Sequence, residues 1–204
     1  MRGEPVSEAR HALIAGSVPE GARVLDVGCG DGALLRALET GRGARGYGLE
    51  IDAGAVARAV ARGLSVVQGD ADTDLAAYPD GAFGVVILSD SLQALRAPLP
   101  VLRRAVRVGA RVVVAFPNFG HWRVRASLMR TGRMPRSPAL PALWYETENI
   151  HLCTILDFLD LCGAEGWTVH AAHGLNDRSA FAFDPARPGR ANLRAQDAVF
   201  CVAA

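Results

Sequence analysis

Apolar and polar positions alternate between two rhythms along this chain. FGVVILSD (83–90) and ARVVVAF (110–116) are nearly unbroken apolar runs, the pattern of strands buried on both faces of a parallel sheet. ARVLDVG (22–28), ARGYGLEID (44–52), LSVVQGD (64–70), WTVHAAH (167–173) and AQDAVFCVAA (195–204) are further short strand patterns. Helical patterns separate them: SEARHALIAGSV (7–18), DGALLRALET (31–40), GAVARAVARG (54–63), PLPVLRRAVRVG (98–109) and TILDFLDLCGAEG (154–166). Ser7 and Thr154 stand where N-caps belong, and Gly109 where a helix stops. Strand alternating with helix predicts an α/β sandwich with parallel strands and right-handed crossovers. Two stretches keep neither rhythm. One is the 21 residues between the last two strands; the other is 132–149, too long for a simple connector.

Composition narrows the class. A chain of 204 residues, half of it apolar, fits one domain (1–204) with a substantial core. No apolar run approaches a membrane span, and MRGEPVSEAR lacks the basic-then-apolar order of a signal peptide, so a cytoplasmic protein without membrane contact is expected. Cys29, Cys153, Cys162 and Cys201 are scattered and read as reduced thiols, with no metal-binding set. Every basic residue is arginine, and the charge is segregated: residues 1–90 carry net −5, residues 91–145 net +10 with no acid, and residues 146–204 net −4. The middle block attracts a carboxylate, a phosphate or an acidic protein face. Arg103, Arg104 and Arg107, on a helix pattern, are expected to pair with acids from the outer blocks. Acids on both sides and a total of only +1 argue against a nucleic-acid footprint.

The most specific local signal is VLDVGCGDG (24–32), where a strand turns sharply into a helix through Gly28, Gly30 and Gly32. Gly28, Gly30 and Ala33 satisfy a dinucleotide fingerprint, which would seat a pyrophosphate on the helix N-terminus. Asp26 and Asp31 oppose that reading, because their charge repels a pyrophosphate and suits an ammonium or sulfonium. The whole run resembles the first motif of class I S-adenosylmethionine (SAM) dependent methyltransferases. That resemblance implies a Rossmann-like three-layer fold around a seven-stranded, mostly parallel sheet. It also implies a pocket for SAM or S-adenosylhomocysteine. Asp26 would face the amino-acid end, the Gly28–Cys29–Gly30 backbone would line the pocket, and Glu50, 18 residues past Gly32, would accept the ribose hydroxyls with Ile51 beside it. QGDAD (68–72) resembles the adenine motif, with Asp70 accepting from the amine and Ala71 offering its N–H; in SDSLQAL (89–95), Ser89 would back the cofactor. Asp52, Asp72, Asp74 and Asp80 read as solvated turn residues, and Cys29 as a turn residue without nucleophilic character.

Within that superfamily, FPNFGHWRVRASLMRTGRMP (116–135) and ALPALWYETENIHLCTILDFLDLC (139–162) resemble the MetW family of bacterial methionine-biosynthesis proteins, and the similarity covers about residues 20–174. The resemblance implies partnership with a homoserine O-acyltransferase of the MetX type, whose acylation of homoserine the protein would support or regulate. The family-specific stretch, about 117–153, reads as an inserted loop rich in arginine and aromatic residues. Arg123, Arg125, Arg133, Trp144 and Tyr145 are its candidate surface for a partner or an acidic substrate, beside Arg130 and Arg136. The alternative is a free-standing methyltransferase acting on a small acidic molecule, with His121, Tyr145 or His151 as general base. For both histidines a ring satisfied by backbone hydrogen bonds competes with catalysis, and for Trp122 and Trp144 packing against the sheet is expected. The N-P-P-Y type motif of amino-group methyltransferases is absent, since the fourth strand ends in SDSL.

Overall fold

The computed structural model describes residues 4–136, 142–147, 149–177 and 179–204. Five strands, β1 (Arg23–Val27), β2 (Arg45–Glu50), β3 (Val66–Gln68), β4 (Phe83–Ser89) and β5 (Gly109–Pro117), pair in parallel. They are joined by α2 (Ala33–Arg42), α3 (Ala53–Ala61), a single turn α4 (Ala71–Asp74) and α5 (Pro98–Val108), with α1 (Glu4–Gly16) leading. Then come α6 (Trp122–Thr131), α7 (Ile155–Glu165), β6 (Thr168–Leu175), β7 (Ala180–Ala182), α8 (Gly189–Arg194) and β8 (Asp197–Ala203). The eight strands form one sheet in the order β3-β2-β1-β4-β5-β8-β6-β7. β8 inserts antiparallel between β5 and β6, and β7 adds an antiparallel edge.

The apolar runs are continuous because each strand serves two cores. In β4, Val86 and Leu88 face α5 and α7, while Val85 and Ile87 face α1 and α2. In β5, Val112 and Val114 join the first core, Val113 and Ala115 the second. Phe116, Phe158 and Phe200 fill the centre of the first, with ring centroids 4.8–5.9 Å apart. Because the chain winds from β1 outward to β3 and returns to start β4 on the other side, a crevice opens at the carboxyl ends of β1 and β4, where ligands bind in open α/β sheets.

Several expectations change. The sheet has eight strands, not seven; β7 is three residues long and lies within the 21 that show no period. α8, six residues long, lies in the same stretch. α1 begins at Glu4, so Ser7 lies inside it rather than capping it. The stretch read as an inserted loop opens with a helix, α6, of which Val124 is the one buried residue. Trp122 and Trp144 are not packed against the sheet but exposed. Residues 137–141 and 148, within the arginine and aromatic stretch, lie outside the described residues. The helical arginines pair with acids as expected: Arg103 grips Glu165 of α7 through Nε and Nη2 at 2.6 and 2.7 Å, and Arg104 and Arg107 both reach Asp80 at 2.7 Å.

The turn after β5 is organised by Asn118, which is 2 % exposed. Its Nδ2 donates to the carbonyls of Asn192 and Ala195 at 2.8 Å, and its Oδ1 accepts from Gly120 N and Ile155 N at 3.0 and 3.2 Å. One side chain thus ties α8 to the start of α7, whose N-terminus carries a full capping box between Thr154 and Asp157. Asn118→Ala strands two buried carbonyls and two N–H groups, and should lower the unfolding free energy by about 3–5 kcal/mol. A urea titration reads this as a lower midpoint at unchanged slope; a loss below about 1 kcal/mol would mean that water replaces the side chain.

Candidate functional site

The crevice is a cleft of about 740 Å³ walled by the segments that follow β1, β2, β3 and β4. Gly28, Gly30 and Gly32 all have positive φ, but they are not glycine for one reason. A Cβ on Gly28 would stand 2.7 Å from Ser91 Cβ, and one on Gly32 only 2.2 Å from Leu64 Cδ1. These two let the turn close against protein. Gly30 meets nothing within 4 Å and, like Gly28, lines the cleft.

Glu50, at the end of β2, is fixed by two backbone donors: Gly30 N to Oε2 at 2.7 Å and Asp52 N to Oε1 at 2.9 Å. A carboxylate has about four acceptor sites, so roughly half its capacity remains on a side chain whose direction is already set. Behind it, Asp26 is buried in β1, and its Oδ1 has no hydrogen-bond partner among the described residues. Burial first, then the charge of Glu50, pushes its carboxyl up to about 7. Ser91 Oγ, which belongs to a residue of the cleft wall, is a second buried polar atom without a partner among the described residues. Unpaired buried polar atoms are costly, and of these two residues Ser91 belongs to the cleft wall while Asp26 lies behind it. Cys29 is held up at about 12 by burial and then by Asp26 and Glu50, which leaves it a thiol and no nucleophile.

The opposite end is built on Asp70. It caps α4 by accepting from Asp72 N at 3.0 Å, and its carboxylate also takes the Arg96 guanidinium. Asp72 is a bracket rather than a solvated turn residue: its carboxylate accepts Arg96 N at 3.0 Å and Ala97 N at 2.8 Å. Asp52 caps α3 through Ala55 N at 2.6 Å. On the remaining wall Asp90 adopts φ 66° and pairs with Arg10 of α1 at 2.6 Å, the guanidinium being buried and 3.8 Å from Asp197.

Of the expected cofactor contacts, Gly28, Gly30, Glu50, Ile51, Asp70, Ala71 and Ser89 line the cleft. Asp26 and Cys29 lie outside the lining. So do Arg123, Arg125, Arg133, Trp144 and all three candidate bases, His121, Tyr145 and His151. His121 caps α6, its Nδ1 accepting from Arg123 N at 3.3 Å; burial and then Arg123 hold the ring below its usual range, and hence neutral. His151 meets the Arg96 carbonyl through Nε2 at 3.3 Å. Trp144 and Tyr145 pack edge to face at 5.5 Å and stay 71 % and 64 % exposed. Arg123 stacks on Trp122 at 5.4 Å and stands 3.4 Å from Asp177. Sequence reasoning missed Ser91, Arg96, Asp72 and Arg10. Ser91 stood in the quoted SDSLQAL with Arg96 just after it, whereas nothing local marks Arg10 as a neighbour of the cleft.

Glu50, Asp52, Asp70, Asp72 and Asp90 line the cleft, with Arg96 the one cation among the lining residues. Such a wall accepts hydroxyl and amino donors and favours a cationic group, and it opposes the pyrophosphate of a dinucleotide.

The family described as "Methionine biosynthesis protein MetW" matches residues 8–202 of this chain. The bifunctional methionine biosynthesis protein MetXA/MetW of Rhodopirellula baltica is 33 % identical over 155 residues. That match takes 72 % of this chain and spans only a quarter of the relative's length. A SAM-dependent methyltransferase from Mesorhizobium loti superposes with TM-score 0.68 at 18 % identity, over 97 % of this chain and 99 % of its own. The [4+2]-cyclase SpnF superposes with TM-score 0.64 at 18 % identity, over 95 % and 80 %. Likeness at that identity shows the α/β methyltransferase fold alone, and a cyclase among the neighbours illustrates why fold does not assign a reaction.

The Asp26 carboxyl makes stability depend on pH with a definite sign. Its folded pKa of about 7 lies above the ordinary 3.8, so between those values the unfolded chain loses a proton that the fold retains. Its contribution is complete below the lower value and is lost as pH rises through the upper one. Asp26→Asn should therefore gain on the parent, by about 4 kcal/mol in unfolding free energy, as pH rises across that window. Urea titrations of both proteins at a series of pH values check this; parallel profiles would show Asp26 ionised at little cost.

Proposed function

The chain belongs to the MetW family of methionine biosynthesis proteins, and from that membership we propose that it binds SAM or S-adenosylhomocysteine in the acidic cleft and acts with a MetX-type homoserine O-acyltransferase, supporting or regulating homoserine acylation. The observation that carries the cofactor half is Glu50. Its carboxylate lines the cleft, is oriented by Gly30 and Asp52, and keeps acceptor capacity for two adjacent ribose hydroxyls. Asp70 and the Ala71 N–H would take the adenine, Ser89 would back the nucleoside, and Gly30 would admit the ligand chain. The unpartnered Asp26 and Ser91 atoms fit the cationic amino-acid end. When bound, SAM supplies an electrophilic methyl group.

The partner half is supported by the Rhodopirellula relative, whose name joins MetXA and MetW in one chain. The exposed surface fits a protein better than a small molecule. α6 leaves Trp122 52 % and Met129 86 % exposed, flanked by exposed Arg123, Arg125, Arg130 and Arg133. Aromatic and arginine side chains are enriched at interface centres. A free-standing methyltransferase draws less support, because none of its three candidate bases lines the cleft.

Two measurements test the halves separately. Glu50→Ala should weaken S-adenosylhomocysteine binding in calorimetry by about 10- to 150-fold, the loss of about 1.5–3 kcal/mol of charge-assisted hydrogen bonds, with the fold intact by circular dichroism. Unchanged affinity would remove the carboxylate from the site. Co-expressed with a MetX-type acyltransferase, the chain should co-purify with it and alter its activity, and Trp122→Glu should reduce recovery of the complex while leaving nucleoside affinity alone. A lone monomer and an indifferent acyltransferase would overturn the partnership.

A further inference from the structure

The wall formed by Ser91–Arg96 has two sides. Ser91, Ala94, Leu95 and Arg96 line the cleft. On the other side, the carbonyl of Gln93, in the middle of the same turn, accepts the N–H groups of both Ile150 and His151, at 2.8 and 3.0 Å. The Gln93 side chain is 1 % exposed; its Nε2 donates to the Pro117 carbonyl at 3.0 Å and lies 3.4 Å from Cys153 Sγ. Arg96 completes the link. Its guanidinium is on Asp70, its N–H is on Asp72, and its carbonyl meets His151 Nε2.

We infer that Ile150–Cys153 reads the occupancy of the cleft through this turn. The inference rests on the cofactor reading above and adds its regulation. A base amine seated on Asp70 would share with the Arg96 guanidinium a carboxylate that already accepts Asp72 N, so its arrival bears on the Arg96 side chain. The Arg96 backbone is clamped between Asp72 and His151, so a change at its side chain bears on the bonds that hold Ile150 and His151. A ligand body against Ala94 and Leu95 bears on Gln93 from the same side. The segment so affected belongs to the stretch specific to this family, and it presents Ile150 at 58 % exposure. Coupling is reciprocal, so a protein pressing on this segment changes nucleoside affinity by the factor with which the nucleoside changes its own.

Amide exchange of the full chain, with and without saturating S-adenosylhomocysteine, tests this while calorimetry on the same sample reports binding. The Ile150 and His151 amides should exchange about tenfold more slowly in the complex, as local opening is suppressed. His151→Ala, a change at an exposed residue outside the cleft lining, should bind within about threefold of the parent and lose the slowing at Ile150. No heat of binding sinks the cofactor reading and this inference with it. Heat of binding with slowed exchange confined to the cleft walls sinks this inference alone. Slowing at Ile150 that survives in His151→Ala overturns the route through Arg96.

Discussion

The carboxylate of Glu50 accepts the N–H of Gly30 and of Asp52, and those two bonds tie the ends of β1 and β2 into one concave wall. The rest of the site follows from that clasp. It fixes the glycine turn that lines the cleft, and it keeps a negative charge close to Asp26. Asp26 cannot escape that charge, because β1 runs between β2 and β4 and its side chain is buried. A fold that stored these two acids side by side with no occupant in prospect would carry a cost that an Asn or Ser at position 26 would abolish.

Much of this was legible in the sequence, for physical reasons. Val85–Leu88 and Val112–Ala115 could be read as strands because burial on both faces removes polar residues altogether, and the acid at the end of β2 was marked by the methyltransferase resemblance, which implies one there. What was not legible depended on distance in sequence or on burial that is nearly absent. α6 buries Val124 alone, and its other large apolar side chains lie exposed among arginines. Asp72 looked like any turn aspartate until Arg96 and Ala97, 24 and 25 positions on, supplied its donors. His121 carries the same side chain whether it caps a helix or takes a proton, and only the position of Arg123 N decides.

The family-specific blocks separate into two physical roles. FPNFGH is scaffold: Asn118 saturates all four of its hydrogen-bonding sites with the termini of α7 and α8 and the following turn, and His121 starts α6. The following residues are surface, with Trp122, Leu128, Met129 and Met134 exposed on or just after a helix that buries one side chain. A helix with so little buried area gains little from packing, yet isolated helices of ten residues are marginal in water. On the reading proposed above, this surface of exposed apolar and arginine side chains is the one a partner would cover.

On the reading proposed above, the proton on Asp26 also bears on selectivity. With a carboxyl pushed up to about 7, the ligand-free cleft spends much of its time with Asp26 neutral near physiological pH. A cationic amino group or sulfonium brought alongside favours the ionised form, so binding such a ligand releases a proton and grows tighter as pH rises. A neutral nucleoside would recover only the ribose and base contacts, from Glu50 and Asp70, and would show no such dependence. On that reading the cleft would separate ligands by the charge of their amino-acid end as much as by the nucleoside they share. Such discrimination would reside in β1 itself and would need no partner at the exposed face of α6.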